Sequence, residues 1–151
     1  MVVPMQLVLV VEDEYGNAEI LQLLLESAGY RIAIASNGKA ALELLEGEKP
    51  ALILSDFMMP TMNGGEFGHA VRRNSALAQI PFVFMSATSE DVVRDVFPDY
   101  DAFLPKPFRM EALLPLVERF TASGRTPAPS SEEVGESVRQ LLKSMQLPPE
   151  Q

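Results

Sequence analysis

Between residues 6 and 122, short continuous apolar runs alternate with stretches in which apolar residues recur every three or four positions. The first run, QLVLVV, leads into the acids EDE (residues 6–14). Unbroken rather than alternating hydrophobicity is the pattern of a strand buried on both faces, as in a parallel sheet. NAEILQLLLESAG then sets Ile20, Leu21, Leu24, Leu25 and Ala28 at helical spacing, with Gly29 where a helix C-terminal glycine belongs. RIAIAS (residues 31–36) predicts a second strand, and GKAALELLEGEK a helix with Ala41, Leu42, Leu44 and Leu45 inward and Gly47 at its end. Pro50 introduces the strand ALILS. A loop then leads to GGEFGHAVRRN, a helix weakened by its glycines. IPFVFMSA (residues 80–87) predicts a fourth strand, and SEDVVRDVF (residues 89–97) a helix whose first turn suits Ser89, Glu90 and Asp91. DAFLPKPF holds the fifth strand and RMEALLPLVERFTA the fifth helix, where Pro115 predicts a kink or an early first turn.

Strand–helix alternation of this kind implies a parallel α/β sheet with right-handed crossovers and helices on both faces. Ligand sites in such sheets lie outside the carboxyl ends of the strands, where the strand order reverses. Past Thr121 the composition changes. SGRTPAPSSEE reads as a Ser/Pro-rich linker, and beyond it Ser130 and Glu133 are spaced as a capping box. Val134, Val138, Leu141, Leu142 and Met145 then fall on one helical stripe. The expected division is a folded domain over 1–122, a linker over 123–131, and a short amphipathic helix and tail over 132–151. That helix could fold back, form a homodimer or dock a partner.

Composition narrows the class. The chain has 151 residues, enough for one domain, with 47% hydrophobic and 22% charged residues. No apolar run reaches membrane-spanning length, and the N-terminus lacks the pattern of a signal peptide. The absence of cysteine excludes disulfides and thiolate metal sites, and together these features predict a cytoplasmic protein without membrane insertion. A formal net charge of −9 counts against direct nucleic-acid binding. The clustered cations Arg72 and Arg73 read as a solvated helix face. The eight methionines, Met58, Met59 and Met62 among them, read as adaptable packing. His69, the single histidine, reads as a helix-surface residue.

The chemistry gathers at the strand ends. In ALILSDFMMPTMNGGEF (residues 51–67) an apolar run drives into Asp56, and burying an unpaired carboxylate is costly. The first strand ends in Glu12 and Asp13, the fourth in Ser86, and the fifth in Lys106 followed by Pro107. In a parallel sheet all of these converge on one edge. Three carboxylates there repel one another unless a cation lies among them. An oxygen-only donor set selects a hard divalent ion, Mg²⁺ being the most available, and such an ion keeps an open position for a phosphoryl oxygen. The Lys106 ammonium and the Ser86 hydroxyl could bind the remaining phosphoryl oxygens, because phosphoryl transfer depends above all on positioning and charge neutralisation.

Together VVEDE (residues 10–14), SDFMMPTMNG (residues 55–64), FMSA (residues 84–87) and LPKPF (residues 104–108) make residues 5–122 resemble the receiver domain of two-component response regulators. The resemblance implies a doubly wound, flavodoxin-like (βα)5 fold of strand order 2-1-3-4-5, here with a short C-terminal helical extension. It implies that Asp56 takes a phosphoryl group from a phosphohistidine on a sensor histidine kinase or a histidine phosphotransfer protein. By the same likeness Asp13, Asp56 and the Met58 backbone carbonyl would bind Mg²⁺ directly and Glu12 through water. Lys106 would pair with the phosphoryl group and Ser86 would swing in to meet it. Phe103 would stand at the aromatic switch position, Gly64 would keep the loop tight, and Lys106–Pro107 would be cis. The chain would then catalyse only its own phosphorylation and dephosphorylation. With no output domain expected in the tail, it would signal as a single-domain regulator through a downstream protein or a phosphorelay.

Three features depart from the family pattern. Asp99–Tyr100 stands where a Gly-Ala pair is common, the segment between Ser86 and Lys106 is slightly short, and Phe103 lacks the hydroxyl of the common tyrosine. Three competing functions are weighed against the resemblance. An aspartyl phosphatase would want a second acid two residues after Asp56, where Met58 stands. A flavin module would want a Ser/Thr/Gly-rich phosphate loop after the first strand. A phosphorylation-independent interaction scaffold would have no need of the whole acid–Ser–Lys set.

Overall fold

The unbroken apolar runs at the centre of the sheet become strands because each has a helical layer on both sides to take up its side chains. The structure, a computed structural model, describes residues 5–125. β1 (Leu7–Val11), β2 (Arg31–Ala35), β3 (Leu52–Ser55), β4 (Phe82–Ser86) and β5 (Ala102–Pro105) form one parallel sheet in the order β2-β1-β3-β4-β5. The helices are α1 (Tyr15–Ser27), α2 (Gly38–Gly47), α3 (Gly64–Arg73), α4 (Glu90–Val96) and α5 (Met110–Ser123). The expected fold class and strand order are both observed.

Alternate residues along each strand serve opposite layers. Leu9, Val11, Ile53, Phe82 and Phe84 face α2, α3 and α4, where they meet Ala41, Leu45, Phe67, Val71, Val93 and Phe97. Val8, Val10, Leu52, Leu54, Val83 and Met85 face α1 and α5, against Leu21, Leu25, Leu113, Val117 and Phe120. The chain leaves β1 toward β2 and crosses back to β3 on β1's other side. In register, Val11 lies beside both Ala35 and Ser55. The residues immediately after β1 and β3 therefore emerge side by side at the reversal point, which is where a site is expected.

Several sequence expectations are corrected. Ile20 and Leu24 point outward, 57% and 38% exposed. The inward stripe of α1 is the narrower Ala18, Leu21 and Leu25, because the helix rests on a single sheet face. Leu44 of α2 is likewise exposed, while Ala41 and Leu45 are buried. Ser89 precedes α4 but makes no side-chain cap bond. Pro115 neither ends α5 nor lies in its first turn; the helix runs through it from Met110 to Ser123. Ser123, expected in the linker, is still helical. Of the two clustered cations Arg73 is exposed as expected, but the Arg72 side chain is only 8% exposed and is ion-paired to Asp101 at 3.0 Å. Gly29 adopts φ 99°, a left-handed conformation that glycine takes without strain after a helix. Among the described residues no helix is long and apolar enough to cross a membrane. The rest of the expected linker and the stripe Val134–Met145 lie outside the described residues, apart from Gly124 and Arg125.

Candidate functional site

β1 delivers Glu12 and Asp13 to the rim, β3 delivers Asp56, β4 ends on Ser86, and Lys106 follows β5 directly. Backbone bonds fix these departures: Glu12 N–H donates to the Ala35 carbonyl at 3.0 Å, Asp56 N–H to Val11 at 2.9 Å, and Lys106 N–H to Ser86 at 2.9 Å. The result is a cleft of about 460 Å³ whose wall includes Glu12, Asp13, Asp56, Met58, Ser86 and Lys106. One carboxylate oxygen from each of Glu12, Asp13 and Asp56 lies within 4.8 Å of the others.

The acids differ in environment. Glu12 and Asp56 are buried, at 2% and 8% exposure, whereas Asp13 is open to solvent. Lys106 Nζ donates to Glu12 Oε2 at 2.9 Å and to Asp56 Oδ2 at 3.0 Å. The Phe57 N–H donates to Asp56 Oδ1 at 2.7 Å. Burial holds the Glu12 carboxyl above its ordinary range and the Asp56 charge adds to this, while Lys106 offsets only part. Burial also opposes charge on the Lys106 ammonium, but its bonds to Glu12 and Asp56 outweigh that and lift its pKa. Lys106 thus bridges two of the three clustered carboxylates but offsets only one unit of their charge, and a divalent ion fits the charge still uncompensated.

The loop after β3 shapes the floor. Gly64 N–H donates to the Phe57 carbonyl at 2.7 Å, and a Cβ on Gly64 would lie 2.5 Å from the Asp56 carbonyl oxygen. Only glycine allows that approach. Thr61 adopts φ 70°, a left-handed conformation uncommon outside glycine, and so contributes local strain to this loop. Asn63 caps α3 by accepting from the Glu66 N–H at 2.8 Å, while Glu66 accepts from the Asn63 N–H in return. The Lys106–Pro107 bond is cis.

Of the residues singled out in the sequence, six therefore line one cleft. The Met58 side chain is 64% exposed at its edge. Ser86 is buried, and its Oγ accepts from the Thr88 N–H at 3.1 Å. Phe103 stands apart from the cleft wall, half-buried on β5 against the aromatic core. Sequence reasoning passed over three participants. Asn17, in the first turns of α1, reaches Glu14 at 3.1 Å and Glu12 at 3.5 Å. The Phe57 and Thr88 amides hold Asp56 and Ser86. An amide one helical turn past an acidic strand end was the available signal for Asn17; backbone donors leave none.

Comparison with known proteins agrees with this geometry. Residues 8–118 match the family model described as the response regulator receiver domain. The response regulator Rre1 of Synechocystis is 32% identical over 128 residues, covering 83% of this chain and 55% of that protein. The chain thus spans little more than half of that relative's length. The receiver domain of a signal transduction histidine kinase from Syntrophus aciditrophicus superposes with a TM-score of 0.74 at 32% identity, covering 83% of this chain and 97% of that one. The response regulator TrrA of Thermotoga maritima, solved in complex with Mg²⁺ and BeF, has a TM-score of 0.67 at 27% identity, covering 77% and 99%.

Proposed function

The chain belongs to the response regulator receiver domain family, and from that premise we propose that it is a phosphoacceptor switch in which Asp56 is the residue modified. The observation that carries the reading is one cleft holding Glu12, Asp13 and Asp56 with oxygens within 4.8 Å, closed by Lys106.

An Asp56 carboxylate oxygen attacks phosphorus of a phosphohistidine on a sensor kinase or a histidine phosphotransfer protein. The P–O bond forms as the P–N bond breaks, and the electron pair returns to the imidazole nitrogen. Asp56 suits attack because the Phe57 amide and the Lys106 ammonium each orient one of its carboxylate oxygens. Lys106, already shared between two carboxylates, turns to the incoming phosphoryl oxygens. Ser86 exchanges its contact with the Thr88 amide for a bond to the phosphoryl group, and Phe103 turns inward behind it. Glu12, Asp13, Asp56 and the Met58 carbonyl are the groups that would hold Mg²⁺, and the ion would supply neutralisation of phosphoryl charge. The added charge, up to about two units, shifts a two-state equilibrium that is read out by protein contacts or passed on in a phosphorelay.

Intact mass after incubation with acetyl phosphate and Mg²⁺ tests this. The expected gain is one phosphoryl group, absent in Asp56→Asn. An unmodified wild type would leave the interaction-scaffold reading in its place.

A further inference from the structure

The α4–β5 connection carries the departure noted in the sequence, and the structure gives Tyr100 there a set of partners. Its ring meets Phe84 edge-on at 5.6 Å and lies 6.4 Å from Phe103. Its hydroxyl donates to Glu90 Oε2 at 2.6 Å. Glu90 is the first residue of α4, and Arg94, one turn on, pairs with the same oxygen at 3.2 Å. Burial, with the Glu90 bond next, holds the phenol above its ordinary range, so it stays the donor.

The residues on either side of Tyr100 are tied down. Asp101 is bound by Arg72 at 3.0 Å, by Arg125 at 3.0 Å and by the Phe82 amide at 2.8 Å. Arg125 also pairs with Asp99. Both neighbours of Tyr100 are therefore pinned by ion pairs, so its side chain reaches Glu90 from a fixed stretch of backbone. The far end of α4 is docked as well. Gly65 lets Val96 approach α3, Gly68 does the same for Phe97, and His69 Nε2 lies 2.7 Å from the Val96 carbonyl oxygen. The first turn of α4, by contrast, receives no cap bond from Ser89.

We propose that Tyr100 is a latch, holding the first turn of α4 through Glu90 over the space Phe103 enters when the switch closes. This rests on the phosphoacceptor reading above and extends it to the threshold of the response. Phe103 brings no hydroxyl to the inward state, so the polar tie lies three residues earlier and restrains the resting state. When Ser86 moves, the short segment Ala87–Ser89 pulls on the latched end of α4, and the Tyr100–Glu90 bond opposes it. Tyr100 is a positioning residue, acting through Glu90 and Phe103 rather than on the phosphoryl group.

Tyr100→Phe removes the hydroxyl and keeps the ring, so the fold is retained. The test uses the full chain and reads amide hydrogen exchange in α4 together with Mg²⁺-dependent affinity for beryllofluoride. The variant is expected to exchange faster in the first turn of α4 and to bind beryllofluoride about three- to tenfold more tightly, the scale of one net hydrogen bond. In a Glu90→Ala background the same substitution should add nothing. Unchanged or weaker beryllofluoride binding overturns the latch. If the wild type itself takes up neither beryllofluoride nor a phosphoryl group, the phosphoacceptor reading falls. In that case exchange alone decides: faster exchange supports the tie, and unchanged exchange overturns it.

Discussion

Lys106 Nζ lies 2.9 Å from Glu12 Oε2 across a sequence separation of 94 residues, and the same ammonium reaches Asp56 at 3.0 Å. The side chain of Glu12 is 1% exposed and that of Lys106 22%, so the pair is largely shielded from screening. Lys106→Ala should leave two close, buried carboxylates without a cation and cost about 1–3 kcal/mol in metal-free buffer. Mg²⁺ should recover most of that loss. The shift in urea midpoint on adding Mg²⁺ is then larger for the variant than for the wild type. An equal or smaller shift would show that the acids do not share an ion.

A pH dependence follows from Glu12, whose carboxyl burial holds above its ordinary 4.5. A folded-state pKa raised above the unfolded one stabilises the protein fully below the unfolded value and loses that contribution as pH rises through the folded value. Metal-free protein should therefore lose this contribution in a window above pH 4.5. Protons and Mg²⁺ compete for the acids, so Mg²⁺ affinity measured calorimetrically should fall as pH drops through the same window. Glu12→Gln should flatten both dependences; a profile unchanged in that variant would assign the titration elsewhere.

The strands were legible because burial on both faces demands unbroken apolar runs, and VLVV, LILS and FVFMS show it without ambiguity. The convergence of Glu12, Asp56, Ser86 and Lys106 was legible for the same reason, since parallel strands bring their carboxyl ends to one edge. Helix faces were read less well. Ile20 and Leu24 fit a helical stripe, but α1 covers one sheet face only and has no second layer to receive them. Arg72 was misread because its partners, the Ala78 and Ile80 carbonyls and Asp101, meet it only through tertiary folding. The partners of Tyr100 were hidden likewise: a substituted turn residue does not announce a bond to the helix before it.

The glycines of the weak helix α3 should respond in the opposite sense to a helical glycine elsewhere. A Cβ on Gly68 would lie 2.5 Å from the Phe97 ring, while a Cβ on Gly16 in α1 would meet nothing within 4 Å. Gly16→Ala should stabilise by up to about 1 kcal/mol through helix propensity. Gly68→Ala should destabilise by about 1–3 kcal/mol through overpacking, despite the same propensity gain. Thermal denaturation of the two variants decides it, and stabilisation by both would mean that α4 is not seated on α3.

Arg72 makes the last prediction, because its network lies at the amino ends of β4 and β5, away from the acidic cleft. Its guanidinium donates to the Asp99 carbonyl at 3.0 Å, to Ala78 at 3.2 Å, to Ile80 at 2.7 Å and to Asp101 at 3.0 Å. A lysine offers a point charge in place of that fork, and a methionine leaves Asp101 with less charge compensation. Arg72→Met should cost about 3 kcal/mol, the scale of breaking a buried ion pair, and Arg72→Lys less. Since none of these groups touches Glu12, Asp13 or Asp56, Mg²⁺ affinity at a temperature where both variants remain folded should stay within about twofold of wild type, as expected for distant sites. Urea denaturation and Mg²⁺ titration separate the two effects. A loss of Mg²⁺ affinity in step with the loss of stability would mean that this network shapes the cleft across the sheet rather than bracing its opposite end.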